Sequence, residues 1–382
     1  MLKGIKKLPV KLDGKEAITI YKKLSQVNKK IGRLNAGLKN SIINSQILSL
    51  LSYNESVQST RIEGTQVTFN EIMEIKEKKS KISWQQQEVM NYKNAIDYGF
   101  DALKSNTVIS TRLIKELHRI LMKDARGTTA SGGEFRKIQN FIGPDNKIEN
   151  ASYIPVEAQQ IDEYMTNLEF FINGTNHESL KIEETNENES TTENKIIEYI
   201  NFDSDPLLRI AVTHAQFESI HPFLDGNGRL GRILIALLAV QEELMYFPLF
   251  FVSEELEKER IRYYNTLNAT RGDNPNWFDW IMFFLHATEK MCDNFIQKID
   301  NVEKLADKGL KICTTESQKS AWLATFQAPV ITASETAKYI KVHPNTAKKS
   351  LDFLTENHLL DRDNSVKRNR KYYNYELLRV IQ

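Results

Sequence analysis

The segment from His221 to Arg232 concentrates side chains that do phosphate chemistry, and it reads His-Pro-Phe-Leu-Asp-Gly-Asn-Gly-Arg-Leu-Gly-Arg. A histidine, a carboxylate and two arginines share it with a Gly-Asn-Gly step. Because an apolar helical pattern follows that step, its backbone N–H groups are expected at a helix N-terminus, where anions bind. The segment therefore predicts a site that binds a nucleotide phosphate, neutralises its negative charge and catalyses a reaction at it.

Two side chains of this segment have the chemistry of reacting or metal-binding groups. His221 has an ordinary pKa near 6.5, so it can accept the proton of a hydroxyl nucleophile at neutral pH. Asp225 is the carboxylate nearest the Gly-Asn-Gly step, and a hard oxygen ligand there suits Mg²⁺, which binds through one or two carboxylates plus substrate phosphates. We therefore predict His221 as general base and Asp225 as magnesium ligand.

The remaining polar groups of the segment are predicted to hold phosphates. Gly226, Asn227 and Gly228 supply backbone and amide donors for an α-phosphate. Arg229 and Arg232 are expected on one face of the following first turn, where their planar guanidinium groups meet the β- and γ-phosphates. A turn and two surface arginines are common when taken one at a time, and only their combination points to a site.

The elements that position this segment are helical, so the predicted fold class is mainly α. Apolar residues at three- and four-residue spacing indicate one helix over 206–220, running into the segment, and another over 230–245, leaving it. His214, on the first of these helices, is predicted to be a hydrogen-bonded core histidine because no third metal ligand is spaced for it. The same reasoning predicts further helices over 17–38, 40–51, 54–62, 68–78, 83–103, 111–121, 156–172 and 277–295.

The segment resembles the signature of the Fic family, H-x-F-x-[D/E]-G-N-G-R-x-x-R, and meets every fixed position of it. With the helix before it and a flap after residue 135, the resemblance covers roughly residues 85–300. It implies an all-α core with ATP as substrate, and transfer of AMP to a Ser, Thr or Tyr hydroxyl of a protein. Some relatives transfer phosphate, UMP or phosphocholine instead, but the intact Gly-Asn-Gly step and both arginines favour AMP.

A flap is predicted at about residues 135–155, where strand-like pieces flank the turn signal Gly143-Pro144-Asp145-Asn146. Family members use such a hairpin to pair a target protein's main chain beside the active site. Ser152 and Tyr153 resemble the end of the flap that faces the nucleotide. The resemblance thus predicts a target protein bound along the flap.

A second short run resembles the family's adenine-side helix. Tyr263 and Tyr264 are expected to stack on the base or bond its edge. The family often has Asn after this helix, whereas this chain has Arg271-Gly272-Asp273. Because of that departure, the sequence does not predict which residue makes this contact with the base.

The run Ser59-Thr60-Arg61-Ile62-Glu63-Gly64 resembles the family's inhibitory motif, [S/T]-x-x-x-E-[G/N]. Its position implies a class II member with an N-terminal inhibitory helix at about residues 54–64. In that arrangement Glu63 pairs with Arg232, removes the partner of the γ-phosphate, and keeps ATP from an in-line pose. Relatives with this motif often form homodimers, and the same glutamate can help to remove AMP.

The last stretch changes pattern to helices over 335–340 and 345–357 followed by strands at 359–360 and 372–373, the winged-helix plan. Its cationic tip predicts a DNA or protein partner. A second hypothesis therefore describes the chain as a DNA-binding transcriptional regulator with a nucleotide-sensing core. The tip comprises Arg362, Lys367, Arg368, Arg370 and Lys371.

Composition sets the remaining limits. The 382 residues carry a net charge of +1, so attraction to nucleic acid must come from a local patch. The two cysteines argue against a disulfide framework, and the absence of a long apolar run predicts no membrane span and a cytoplasmic protein. The predicted domains are 1–82, an N-terminal helical region; 83–311, a catalytic core with a polar insertion at about 174–195; and 312–382, a winged helix.

Overall fold

A computed structural model describes residues 2–41, 44–75, 82–124, 132–143, 147–181, 196–366 and 369–382 of the chain. Helices dominate these residues, as predicted, and strands are short. The helices are α1 (Gly14–Asn40), α2 (Asn44–Ile62), α3 (Phe69–Ile75), α4 (Trp84–Lys104), α5 (Thr111–Leu121), α6 (Ile161–Ile172), α7 (Pro206–Ile220), α8 (Asn227–Gln241), α9 (Ser253–Lys258), α10 (Arg260–Ala269), α11 (Trp277–Ile312), α12 (Glu316–Gln327), α13 (Ala333–Ile340), α14 (Pro344–Glu356) and α15 (Tyr375–Ile381).

The strands are β1 (Leu2–Lys3), β2 (Val10–Asp13), β3 (Tyr153–Ile154), β4 (Ile197–Ile200), β5 (Val330–Thr332), β6 (Asp361–Arg362) and β7 (Lys371–Tyr373). Strand β2 pairs antiparallel with β4, next to the predicted polar insertion, most of which (182–195) lies outside the described residues. One hydrophobic core joins all parts of the described chain. None of its described helices combines the length and apolarity that crossing a membrane requires.

Helix α2 is one continuous element, although the sequence predicts two short helices over 40–51 and 54–62. Its polar residues suggested a break, but they are satisfied within the helix: the Ser56 hydroxyl donates to Ser52 O at 2.8 Å and the Thr60 hydroxyl to Ser56 O at 2.8 Å. Tertiary packing on several sides of the helix then outweighs the local sequence preference for two separate short helices. Gly64, with φ +96°, follows directly and ends the helix, as predicted.

Buried polar contacts fix α2 to distant parts of the chain. The Glu55 carboxylate accepts from Tyr92 Oη at 3.0 Å and from the Ser253 backbone N–H at 3.2 Å. In the same middle turn of the helix, Asn54 Nδ2 donates to Ile381 O at 3.3 Å, in the last turn of α15. The helix that carries the inhibitory motif is therefore held by α4, by α9 and by the C-terminus.

The flap departs from the predicted hairpin. Within its described residues, the pairing between its two arms is a single antiparallel bridge between Ile142 and Tyr153, and residues 144–146 of the predicted turn lie outside the described chain. Strand β3 instead pairs in parallel with β1, in the register Leu2 to Tyr153. Strands of two residues have no periodic signal, which is why the sequence did not predict this pair. The following helix begins at Ile161, after a 3₁₀ turn, and not at 156.

The C-terminal part contains a helix pair, α13 and α14, packed on α12 and on a three-stranded sheet of order β5-β7-β6. Helices α12 and α15, at the two ends of this part, were not predicted from the sequence. The strand predicted at 359–360 lies at Asp361–Arg362, because the Leu359 N–H donates to Leu354 O at 2.9 Å in the turn that closes α14. The winged-helix assignment and the domain boundaries remain predictions, and Lys367 and Arg368 lie outside the described residues.

Candidate active site

His221 caps the C-terminus of α7 in the left-handed conformation, with φ 50° and ψ 60°. This turn takes its side chain out of the helix, as predicted, to the wall of a cavity. Nδ1 lies 3.3 Å from Glu218 O. Because a carbonyl only accepts, that contact places the proton on Nδ1 and leaves Nε2 as the free acceptor. Burial, reinforced by the nearby Arg271, lowers the pKa of His221 to about 4, so the imidazole is neutral at physiological pH.

Arg136 holds this corner, and sequence reasoning missed it. Its Nε donates to His221 O at 2.9 Å and its backbone N–H donates to Pro222 O at 2.9 Å. The guanidinium also donates to the carbonyls of Ile138 and Val156, and the residue is 3% exposed. One buried arginine thus satisfies several carbonyls that the end of α7 and the flap leave without a helical partner.

Replacing Arg136 by Met is expected to lower stability by about 2–4 kcal/mol, because several buried carbonyls lose their charged donor. The midpoint of thermal unfolding measures this loss. The matched control is Lys137→Met, at the exposed neighbouring position, which should leave the midpoint nearly unchanged. Equal midpoints for the two variants would contradict the assigned role.

The loop between α7 and α8 is fixed by the Asn227 side chain. Its Oδ1 accepts from the Phe223 N–H at 3.0 Å and its Nδ2 donates to Phe223 O at 2.8 Å, with the residue 1% exposed. This amide shapes the loop in the structure, and its predicted contact with a phosphate remains a prediction. Phe223 stacks on His118, with ring centroids 3.7 Å apart, and His118 Nε2 lies 3.0 Å from Asp225 O.

Helix α8 begins at Asn227, three residues earlier than predicted, directly after Gly226 in a left-handed conformation (φ 79°). The N–H groups of a first helical turn have no partner within the helix and carry its positive potential. Gly228 lies in this turn and lines the cavity. The start of α8 therefore has the geometry of an anion site beside His221, and phosphate binding there remains a prediction.

Arg232 is 1% exposed, one turn further along α8. Its Nε donates to Ser59 Oγ at 2.8 Å, and its Nη2 donates to Ser59 O at 3.1 Å and to Glu63 Oε1 at 2.6 Å. Burial alone would lower the pKa of this guanidinium, but the acidic groups around it, with Glu63 the strongest of them, together outweigh burial and raise the pKa. The predicted contact between Glu63 and Arg232 is therefore present, with Ser59 as a second partner.

The Glu63 carboxylate also lies against the first turn of α8. A Cβ placed on Gly228 would collide with Glu63 Oε1. The carboxylate therefore occupies the space in front of the helix N-terminus, and its side chain is 36% exposed. An anionic group of this chain lies where the geometry favours a phosphate.

Arg229 does not line the cavity that Arg232 lines, and its predicted contact with a phosphate remains a prediction. Its side chain is 6% exposed, and its Nη1 lies 3.5 Å from Glu88 while its Nη2 lies 3.3 Å from Asp225. A step of three residues along a helix turns the side chain by about 60° from full alignment, enough here to direct it toward α4. In this conformation Arg229 orients Asp225 and does not line the cavity.

Asp225 fits a magnesium ligand. Its side chain is 63% exposed, and its Oδ1 accepts from the Gly226 N–H at 2.6 Å, which fixes the carboxylate next to the start of α8. Among the described residues no group of three or more ligating side chains forms a metal cage. One held carboxylate beside an anion site is the arrangement by which Mg²⁺ binds together with substrate phosphates.

The cavity has a volume of about 360 Å³. It brings together predicted residues from four parts of the chain: Glu63, Ser152, His221, Gly228, Arg232, Tyr263 and Tyr264. Tyr153 does not line it but is fully buried, and its hydroxyl donates to Ser219 O at 2.7 Å. Tyr263 is also nearly buried, with its hydroxyl 2.9 Å from His214 Nε2, so His214 is a hydrogen-bonded core histidine as predicted.

Further cavity residues were not predicted as site residues, chiefly Ile142, Glu218, Asn268 and Arg271. In the sequence, Arg271 is notable only because it departs from the asparagine that the Fic family often has at a base contact. Its guanidinium lies 4.1 Å from the Tyr153 ring centroid, and its Nε donates to Ser219 Oγ at 3.1 Å. These residues come from different elements and belong to no short motif. No local sequence pattern could therefore have shown that they line the same cavity.

Comparison with known proteins gives consistent matches. The Fic/DOC family profile matches residues 108–239, and the Fic/DOC family N-terminal profile matches residues 21–101. The "Protein adenylyltransferase Fic" of Drosophila persimilis is 24% identical over 285 residues, covering 73% of this chain and 47% of that protein. The protein of the same name from Drosophila melanogaster is 25% identical over 277 residues, covering 71% and 47%. The chain thus spans about half the length of these curated relatives.

Solved structures match in fold. A Fic family protein from Desulfovibrio desulfuricans superposes with a TM-score of 0.53 at 17% identity, covering 93% of this chain and 95% of that one. Fic-1 from C. elegans superposes with a TM-score of 0.53 at 20% identity, covering 75% of this chain and 74% of that one. At these identities the likeness concerns the fold.

Proposed function

Because this chain belongs to the Fic/DOC family, we propose that it is a protein adenylyltransferase. It transfers AMP from ATP to a Ser, Thr or Tyr hydroxyl of a target protein or of itself. The observation that carries this proposal is the shared cavity, in which His221, the start of α8 and Arg232 face one another. A base, an anion site and a buried cation are the groups that hydroxyl attack on a nucleotide phosphate needs.

In the proposed reaction the target hydroxyl oxygen attacks the α-phosphorus of ATP. The hydroxyl proton goes to His221 Nε2, which the Nδ1 contact with Glu218 O leaves free to accept it. The bond between the α-phosphorus and the bridging oxygen breaks, and diphosphate leaves. The N–H groups at the start of α8 stabilise the negative charge on the α-phosphate, and Arg232 binds the γ-phosphate.

Magnesium is the cofactor in this proposal, and Asp225 is the residue that would hold it. A magnesium ion held there would supply positive charge to offset the charge that develops on the leaving diphosphate. Arg229 keeps Asp225 oriented through their 3.3 Å contact.

The test of the reaction type uses ATP labelled in either the α- or the γ-phosphate. AMP transfer makes the α-label protein-bound and releases the γ-label with diphosphate. Protein-bound γ-label would instead indicate phosphate transfer. Release of free AMP from protein already labelled would indicate hydrolytic removal of AMP, with water as the acceptor.

We also propose that Glu63 inhibits the enzyme at rest. Glu63 already holds Arg232 at 2.6 Å and lies in front of the first turn of α8. A triphosphate in the productive pose needs both places. Bound ATP is then shifted from the in-line geometry, and transfer is slow until Glu63 moves away.

The proposed partner is a target protein whose main chain pairs with the flap. Strand β1 already pairs with β3, at Tyr153–Ile154. We therefore place the target on the other arm of the flap, at residues 141–143, whose Ile142 and Gly143 line the cavity. That edge brings a target hydroxyl close to His221 without displacing β1.

A second candidate function, DNA binding, is favoured by the exposed face of α13 and α14. The N-terminal half of α14 exposes Asn345, Thr346, Lys348 and Lys349. Amide, hydroxyl and ammonium groups on the second helix of such a pair suit base edges and phosphates in a major groove. This function is compatible with the transferase activity.

If this face binds DNA, exchanging Lys348 and Lys349 for Glu should weaken the complex and lower its salt dependence by about one unit of slope per lysine. A gel shift of the full chain at several salt concentrations measures both quantities. The control exchanges Lys22 and Lys29 for Glu, on the exposed side of α1, which makes the same change in net charge. Equal behaviour of the two variants would rule out specific use of α14.

A further inference from the structure

Glu218 is a cavity residue to which the proposed mechanism gives no side-chain role. It lies on α7, one turn before His221, and only its backbone carbonyl contacts the base. The residue is 6% exposed, yet its side chain forms part of the cavity wall. Its Oε1 is buried without a hydrogen-bond partner in the part of the chain that the structure describes.

A buried carboxylate without a donor is costly, and the surroundings of Glu218 offset this only in part. Burial raises the pKa of Glu218 to about 7, while the charge of Arg232 opposes that shift and the charge of Glu63 adds to it. Helix α8 approaches closely on one side, since a Cβ on Gly231 would collide with Glu218 Oε1. One oxygen of the carboxyl group is therefore held against α8 without a hydrogen-bond donor among the described residues.

The neighbours in the cavity indicate which part of a ligand lies here. Arg232 and the start of α8 account for phosphates, whereas Tyr264, Leu267 and Ile142 offer aromatic and apolar surface for a flat ring. Glu218 lines the same cavity, and its negative charge adds to the effect of burial in raising the pKa of Tyr263 and of Tyr264. A nucleotide that fills the cavity therefore brings its nucleoside part past this carboxylate.

We propose that the Glu218 carboxylate accepts a hydrogen bond from a donor group of the nucleoside and thereby selects the nucleotide. The donors of this chemistry in ATP are the ribose hydroxyls and the exocyclic amino group of adenine. A site built around a buried acceptor discriminates strongly against an analogue that lacks the donor, because the acceptor then stays unpaired. This inference rests on the proposed function and adds a specificity-determining residue to it.

The experiment measures binding of ATP, 2′-deoxy-ATP, 3′-deoxy-ATP and ITP by calorimetry, with α-label transfer as a second readout. Glu63→Gly protein is the parent, so that the inhibitory carboxylate does not mask affinity. Glu218→Met removes the acceptor at similar volume, and Glu218→Gln keeps an acceptor without charge. Glu255→Gln, a buried carboxylate on α9 that does not line the cavity, is the matched control, and thermal unfolding checks that each variant folds.

We expect the parent and the Glu255→Gln control to bind one of the analogues about 10- to 100-fold more weakly than ATP, the range of a charged hydrogen bond. Glu218→Met should bind ATP and that analogue within about twofold of each other, and Glu218→Gln should fall between. Loss of preference for a deoxy analogue assigns the ribose as donor, and loss for ITP assigns the amino group.

Two results would overturn the inference. One is a parent that binds all four nucleotides equally, and the other is Glu218→Met protein that keeps the parent's preference. Should Glu218→Met not fold, an undiminished preference in Glu218→Gln decides against the inference. In all of these cases α-label transfer by the parent shows that the proposed function itself survives, whereas a parent that binds no nucleotide contradicts both.

Discussion

Replacing Glu63 by Gly is expected to raise AMP transfer by about tenfold or more, the effect of removing one charged hydrogen bond of ~1.5 kcal/mol or more from the resting state. Arg232 then loses its partner at 2.6 Å and becomes available to the γ-phosphate. The space in front of Gly228 opens at the same time. Since Glu63 follows the last residue of α2, Ile62, a glycine there should disturb the helix little.

Incorporation of α-label from ATP, as an initial rate, measures this change. The matched control is Glu74→Gly, an exposed carboxylate on α3, which should keep the rate of the unaltered protein. Nucleotide binding should tighten in Glu63→Gly protein alone. An unchanged rate of incorporation in that variant would falsify the inhibitory role.

Replacing His221 by Ala is expected to lower transfer by about 10²- to 10⁴-fold, the usual contribution of a general base. Nucleotide binding should persist, because the start of α8 and Arg232 remain. The loss should be measured in the Glu63→Gly background, because the inhibited enzyme is too slow for a further decrease of this size to be detected. Calorimetry for binding and α-label for transfer separate the two effects.

The left-handed backbone of His221 calls for a second variant. Alanine at φ 50° is strained by roughly 1–2 kcal/mol, whereas asparagine tolerates this conformation. His221→Asn should therefore fold like the unaltered protein and still lose transfer. The control His343→Ala, at an exposed histidine far along the chain, should keep full activity. A His221→Asn enzyme that transfers AMP at the parent rate would refute the general-base assignment.

Contiguous features of the site could be predicted from the sequence. His221, Gly228 and Arg232 meet at one cavity because a turn and the first two turns of α8 keep them near in space as in sequence. The contact of Glu63 with Arg232 could be predicted only from the resemblance to the inhibitory motif of the Fic family, since more than 160 residues separate the two. Residue type and spacing identify chemistry within one element, but they do not show which distant element completes it.

The groups that hold the site could not be predicted, for a physical reason. Arg136 and His118 hold the site through buried contacts that tertiary packing makes, and such contacts leave no periodic pattern in the sequence. The same cause explains Arg229 and Asn227, whose types suit phosphate binding while their buried partners, Glu88 and Phe223, engage them elsewhere. Tertiary contacts decide which of several plausible donors faces the ligand.

One measurement tests the central claim most directly: the intact mass of unaltered, Glu63→Gly and Glu63→Gly/His221→Asn proteins after incubation with ATP and Mg²⁺, followed by peptide mapping. The account predicts the added mass of AMP on Ser, Thr or Tyr in the Glu63→Gly protein, much less in the unaltered protein, and none in the double variant. An added phosphate mass, or no added mass on the Glu63→Gly protein or on co-incubated target proteins, would contradict it.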